Sequence, residues 1–150
     1  MSGVKDYMNV SIYTAQVTVT SAEILNCYTQ PVILIPGVAG KHIQPISFLC
    51  KYTFNTTSYT APNDFPLSMG SPNPMYWIGG IPSAYMNAIV ADNAFGLPTL
   101  PTFGGNPTTF QYMYPNVTGG DNLLLACLNA NPTLGDGTLT FNIMYRLINA

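Results

Sequence analysis

Along the last stretch of the chain Leu139, Phe141, Ile143, Tyr145 and Leu147 interleave with Thr138, Thr140, Asn142, Met144 and Arg146. A period of two puts one set on each side of an extended backbone, so this segment predicts a long strand with one buried face. The same pattern stands near the start, where Tyr13, Ala15, Val17 and Val19 alternate with Thr14, Gln16, Thr18 and Thr20. Two strands with the same inside and outside logic, separated by most of the chain, demand that everything between them be fitted to a common core.

The intervening sequence is written in short pieces. Thr20 and Glu23 have the T-x-x-E spacing of a capping box, which predicts one short helical turn over Ser21 to Cys27. The run Pro31 to Pro36 is continuously apolar and bracketed by prolines, as in a short strand buried on both sides, and Gly37 to Gly40 then turns the chain. From His42 to Asn55 a long strand places Ile46, Phe48, Cys50, Tyr52 and Phe54 on one face, with Ile43 on the opposite phase. That slip centres on Gln44-Pro45 and predicts a bulge, a bend or an edge position, because proline cannot donate to a ladder.

The middle, Ala61 to Pro107, is rich in proline and in paired glycines, and predicts loops joining short strands that include Leu67 to Met69 and Met75 to Ile78. Periodicity leaves Ser83 to Phe95 open between a short helix and an irregular strand. Thr108 to Tyr114 puts Phe110, Tyr112 and Tyr114 on one face, Leu123 to Leu128 reads as a buried strand, and glycine turns stand at Gly119-Gly120 and Gly135-Asp136-Gly137. The pattern as a whole predicts an all-β chain: an antiparallel β-sandwich or barrel, jelly-roll-like, with one short helical turn and a Pro/Gly-rich loop region. Residues 1–12 form an N-terminal arm in this reading and residues 13–150 a single β domain, a size that supports one core.

Composition then narrows function. Only 7% of the residues are charged and 47% are hydrophobic, against roughly 25% charged in an average soluble domain. A surface so poor in charge points to coverage by protein, whether copies of itself or a larger scaffold. The formal charge is -2, and the four bases, Lys5, Lys41, Lys51 and Arg146, are scattered, which argues against a nucleic-acid partner. The N-terminus shows no secretory pattern, and no apolar run approaches the length of a membrane span, so the expectation is synthesis in a cytoplasm with no membrane partner. Cys27, Cys50 and Cys127, odd in number and without C-x-x-C spacing, predict buried thiols.

No chemistry assembles from the motifs. His42 is the one histidine, and general-base catalysis would need an oriented nucleophile and an acid beside it. The run Gly37 to Lys41 lacks the glycine spacing and following hydroxyl of a phosphate loop. Asp64, Asp92, Asp121 and Asp136 all sit in turn-like sequence, where aspartate normally bonds its own backbone. Asp121 or Asp136 with loop carbonyls is the weak candidate for calcium, and zinc lacks paired ligands. The expectation is therefore no enzyme, no cofactor and no metal. The aromatics Tyr76, Trp77, Tyr112 and Tyr114 read as core or subunit contacts, with stacking on a glycan as the alternative.

Two stretches carry a resemblance. Val17 to Thr60 (V-T-V-T-S-A-E-I-L-N-C-Y-T-Q-P-V-I-L-I-P-G through F-N-T-T-S-Y-T) resembles the opening of small tailed-bacteriophage virion structural proteins, and Gly135-Asp136-Gly137-Thr138-Leu139 through Ile148 resembles their closing strand. The resemblance implies a virion protein of the capsid decoration or cement type, a homotrimer on the capsid surface that binds the major capsid protein. Its alternative is a head-fibre or tail-associated module that binds a receptor or glycan. In the decoration reading the arm supplies the contact, with Tyr7, Met8, Val10 and Ile12 as capsid-contact candidates able to order on a neighbour.

Overall fold

The first and last strands pair with each other and so draw the two ends of the chain into one sheet. The computed structural model describes residues 11–72, 77–97 and 116–150. In it β1 (Ile12–Val19) runs antiparallel to β8 (Thr138–Asn149), from Ile12 opposite Arg146 to Val19 opposite Leu139. On its other flank β8 pairs with β3 (Lys41–Thr53), and the upper half of β3 pairs with β6 (Asn93–Leu97). A second sheet has the order β2-β7-β4-β5, from β2 (Val32–Ile35), β4 (Phe65–Met69), β5 (Trp77–Ile81) and β7 (Leu123–Leu125). All these pairings are antiparallel, so the described residues form an all-β sandwich of two four-stranded sheets. The pairs β1 with β8, β2 with β7, β3 with β6 and β4 with β5 nest inside one another, as if a single long hairpin had been folded over on itself.

The period-two readings set the core. Val19 from β1, Leu139, Phe141 and Ile143 from β8, and Phe48, Cys50 and Tyr52 from β3 are buried against Leu34 and Ile35, Phe65, Leu67, Ile81, Leu123 and Leu125 of the opposite sheet. Central β4 and β7 are buried throughout, in keeping with the continuous apolar run at Leu123 to Leu128. Two expectations need correction. Ile33 of β2 is half exposed, because β2 is the edge strand of its sheet and its outward face has no layer over it among the described residues. Ile46 is exposed too. The register of β3 against β8 slips between Pro45 and Ser47, so Ile43 and Pro45 point inward before the bulge, Phe48 and Cys50 after it, and Ile46 falls on the outside. Pro45 is tolerated there because, among the described residues, β6 flanks only Phe48 to Tyr52 and no strand pairs with β3 beside Pro45 on that side.

The helical turn after β1 is α1 (Ser21–Asn26). Thr20 accepts from the amide of Glu23 at 3.3 Å while the Glu23 carboxylate accepts from the amide of Thr20 at 2.8 Å, a complete capping box. These bonds hold the Glu23 carboxyl below its ordinary pKa. A second helical turn, α2 (Ser83–Ala88), departs from the expected single one. It precedes β6 within the segment that periodicity left open, and Pro82 at its N-cap offers no side-chain cap to mark it. Thr108 to Tyr114 and most of Met75 to Ile78's first half lie outside the described residues.

The loops that follow β1, β3, β5 and β7 converge on one end of the sandwich, and carboxylates and amides tie them together. Asp64 accepts from the amide of Ser83, Asp92 from that of Phe54, and Asp136 from those of Thr56 and Thr57, at 2.8 to 3.0 Å. Asn131 accepts from the amides of Tyr28 and Thr29, and Asn87 exchanges bonds with the backbone of Ala61. Turn aspartates were expected to bond their own backbone. Asp121 does so, accepting from the amide of Asn116, whereas Asp64, Asp92 and Asp136 bond neighbouring loops that the nested strand order brings close.

Asp136 gives these ties a pH signature. The hydroxyl of Thr56, then the amides of Thr56 and Thr57, hold its carboxyl down at about 2, against an ordinary 3.8. The folded pKa is the lower one, so its contribution is complete above the ordinary value and is lost as pH falls through about 2. Asp136→Asn is expected to melt at a lower temperature than the native chain at pH 5, with the two curves converging near pH 2 in thermal melts followed by circular dichroism. At the other end Gly119 has φ +77°, and a Cβ there would meet the Lys41 carbonyl at 2.4 Å, whereas Gly40, at φ +71°, faces open space. Gly40→Ala should therefore cost about 1 kcal/mol, the left-handed backbone penalty alone, and Gly119→Ala more than about 2 kcal/mol, read from urea unfolding.

Candidate functional site

Alternation along β1 and β8 fixes which residues line the outer face of the first sheet. Thr14, Gln16 and Thr18 of β1 stand beside Met144, Asn142 and Thr140 of β8, and these stand beside Ser47, Leu49 and Lys51 of β3. Side chains lace the rows: Gln16 Nε2 donates to Asn142 Oδ1 at 2.8 Å, Thr18 and Thr140 share a hydroxyl hydrogen bond at 3.0 Å, and Arg146 donates to Gln44. Cross-strand pairs of this kind stiffen a sheet face without charge.

Within this polar lattice sits an apolar centre. Leu49 is 49% exposed and Met144 40% exposed. With Thr14, Gln16, Ser47 and Asn142 they line a shallow depression of about 440 Å³. Ile46, put outside by the bulge, and Ile12 at the start of β1 extend the apolar area toward the end of the sheet where the N-terminal segment enters. An apolar centre in a polar surround with few charges, here Lys51 and Arg146, has the composition of a protein-contact patch. The depression is too open and too poor in ionisable groups to act as a reaction site.

Of the capsid-contact candidates, Ile12 opens β1 opposite Arg146 with its side chain 58% exposed, while Tyr7, Met8 and Val10 lie outside the described residues. Beside Ile12, β1 is the edge strand of its sheet, paired to β8 alone among the described residues, so its free flank presents backbone donors and acceptors. Leu49 was not singled out by the sequence reading, and Ile46 was placed on the face that also holds Phe48 and Cys50. Leu49 was legible as the opposite phase to Phe48 and Cys50, but Ile46 needed the exact position of the slip.

The residues considered for chemistry are dispersed. His42 pairs opposite Ile148 at one end of the sandwich, whereas Asp64, Asp92 and Asp136 are engaged with backbone amides at the other. Asp121, at the same end as His42, accepts from the amide of Asn116. No cluster of three His, Cys, Asp or Glu side chains that could hold a metal occurs among the described residues, and no helix is long and apolar enough to cross a membrane. Trp77 is half buried, its indole N–H donated to the carbonyl of Pro72 at 3.0 Å. Tyr76, Tyr112 and Tyr114 lie outside the described residues.

No protein-family model matches the chain, and no curated protein matches it. Among solved structures, a chain of the Cyanophage Pam1 capsid asymmetric unit is similar, with a TM-score of 0.46 and 12% identity over 93% of this chain and 86% of that one.

The inside and outside assignment has a direct consequence for stability. Leu49→Asp and Met144→Asp, on the outer face, should each shift unfolding by no more than about 0.5 kcal/mol. Phe141→Ala, on the inner face of the same sheet, should cost about 3–5 kcal/mol in the same urea titration.

Proposed function

We propose that this chain is a non-enzymatic structural component of a virus particle, a decoration or cement protein that binds the major capsid protein of a tailed-phage head as a homotrimer. The observation that carries the reading is the charge-poor outer face of the β1-β8-β3 sheet, with Ile12, Ile46, Leu49 and Met144 open on it, Lys51 and Arg146 as its charged side chains, and the edge of β1 alongside. A protein that must occupy many equivalent sites on a shell needs a rigid contact surface, and a sheet face laced by its own side chains supplies one.

The strand order supports a jelly-roll reading of the sandwich, since the nested pairs β1 with β8, β2 with β7, β3 with β6 and β4 with β5 are what two Greek keys folded from one hairpin would give. That architecture serves viral capsid domains and also lectins and cupins, so the fold alone does not choose among them. The choice rests on the character of the face, on a composition with 7% charged residues, and on the resemblance of Val17 to Thr60 and Gly135 to Ile148 to small tailed-phage structural proteins. In this reading the segment ahead of β1, with Tyr7, Met8 and Val10, reaches a neighbouring subunit by adding to a strand edge, and Ile12 contributes from the start of β1 itself.

The test is occupancy on purified particles, by quantitative gel analysis and imaging, of the native chain, of a variant lacking residues 1–11, and of Leu49→Asp/Met144→Asp. Hundreds of native copies over the head, with occupancy at least tenfold lower for both variants, is the expected result. A few copies confined to a tail or vertex would replace this function with the fibre reading, and absence from particles would remove the virion role.

A further inference from the structure

Cys27 follows α1 directly, and Cys127 lies two residues beyond β7. Both are buried, at 0% and 2% exposure, and both are free thiols. The amide of Cys127 donates to the carbonyl of Cys27 at 3.3 Å, the Cys127 thiol lies 3.7 Å from the carbonyl of Asn63, and the two thiols are close enough to shift each other's pKa. A backbone hydrogen bond lays the two segments side by side, where facing residues of neighbouring strands have Cα atoms about 4.5–5.5 Å apart, a range inside the ~4.4–6.8 Å window of disulfides. Nothing in the capping box of α1 or in the sheet pairings requires these two thiols to meet.

We propose that Cys27 and Cys127 are a latent disulfide site, closed by a small hydroperoxide after the chain has folded. The inference is independent of the virion reading. Cys127 is the thiol attacked first: the neighbouring Cys27 thiol holds its pKa below the ordinary thiol value, and that of Cys27 is raised. The Cys127 thiolate attacks one oxygen of hydrogen peroxide, so an S–O bond forms, the O–O bond breaks, and hydroxide leaves and is protonated to water. The product is a sulfenic acid. Cys27 Sγ then attacks the Cys127 sulfur, the S–S bond forms as the S–O bond breaks, and the hydroxyl departs as water with the Cys27 proton. Two thiols and one peroxide become one disulfide and two waters. At 0% and 2% exposure the thiols are reached through local opening of the loops around them, which favours a small oxidant over a bulky thiol-disulfide reagent.

The bond would tie α1 to the β7–β8 loop and close a loop of about 100 residues containing six of the strands, the kind of cross-link that restrains an unfolded chain most. Cys50 serves as the internal control. It lies on β3 in the core, where burial alone pushes its thiol up to about 12.

The test uses the full chain, treated with a few equivalents of hydrogen peroxide, then denatured, alkylated with N-ethylmaleimide, weighed intact and mapped by peptide. Alkylation is expected to fall from the three free thiols to one, with a linked Cys27–Cys127 peptide that dithiothreitol releases and a higher Tm for the oxidised form than for the reduced. Cys50→Ser should keep the link and Cys127→Ser should abolish it. Because the native chain alone reports the alkylation count, a poorly folding variant does not decide the matter. Three alkylated thiols after oxidation, sulfinic acid on Cys127 without a link, or a link through Cys50 or between chains would overturn the proposal.

Discussion

The antiparallel pairing of β8 between β1 and β3 is the constraint on which the rest of the sandwich depends. It joins residues more than a hundred positions apart, Val19 with Leu139 and Ile12 with Arg146. A shift of one residue would turn Leu139, Phe141 and Ile143 to solvent and bring Thr140, Asn142 and Met144 inward. Register is therefore held twice, by the buried inner row and by the Gln16–Asn142 and Thr18–Thr140 bonds on the outer one. Once β8 is fixed, β3 is placed along its whole length, and the second sheet is positioned by packing against the shared core.

How much of this was legible follows from where the information sits. Alternation in β8, the Thr20–Glu23 box and the slip near Pro45 are local, and each appears in the structure as the sequence implies; in β1 the inward set holds only toward its end, where Val19 is buried, while Tyr13 is exposed. The exposure of Ile33 was not local: Pro31 to Pro36 looks the same whether its strand is central or at an edge, and only the sheet order separates the cases. The partners of Asp64, Asp92 and Asp136 were hidden for the same reason, since their amides belong to loops 19 to 80 residues away. α2 was ambiguous because six residues with a proline at the N-cap give neither a full period nor a cap. The exposed apolar area was partly legible. Met144 was placed in the outward set of β8, whereas Ile46 was assigned to the core until the bulge set it outside.

With so few charges, the placement of each is informative. Asp64, Asp92 and Asp136 sit at the end where the four loops meet, and each satisfies backbone donors that the turns would otherwise leave to water. Charge-assisted bonds of this kind fix loops more firmly than neutral ones. The acids thereby consolidate one end of the sandwich and leave the sheet face largely neutral. Of the described bases, Arg146 is engaged with Gln44 and Lys41 with Asn149, while Lys51 is exposed on the outer face two residues beyond Leu49, opposite Thr140.

The bulge at Pro45–Ser47 joins fold to function. A regular β3 cannot keep both Ile43 and Phe48 inside, because they are of opposite phase; the extra residue reconciles them and leaves Ile46 and Ser47 facing outward together. The irregularity that completes the core therefore also widens the apolar area on the outer face, next to Met144 and Leu49. Since that face is carried by three long strands in fixed register, its side chains lose little freedom when covered, and the ordering cost that weakens loop-built contacts is small. A surface of this kind suits repeated engagement of identical sites better than recognition of varied ones, which require adaptable side chains or loops.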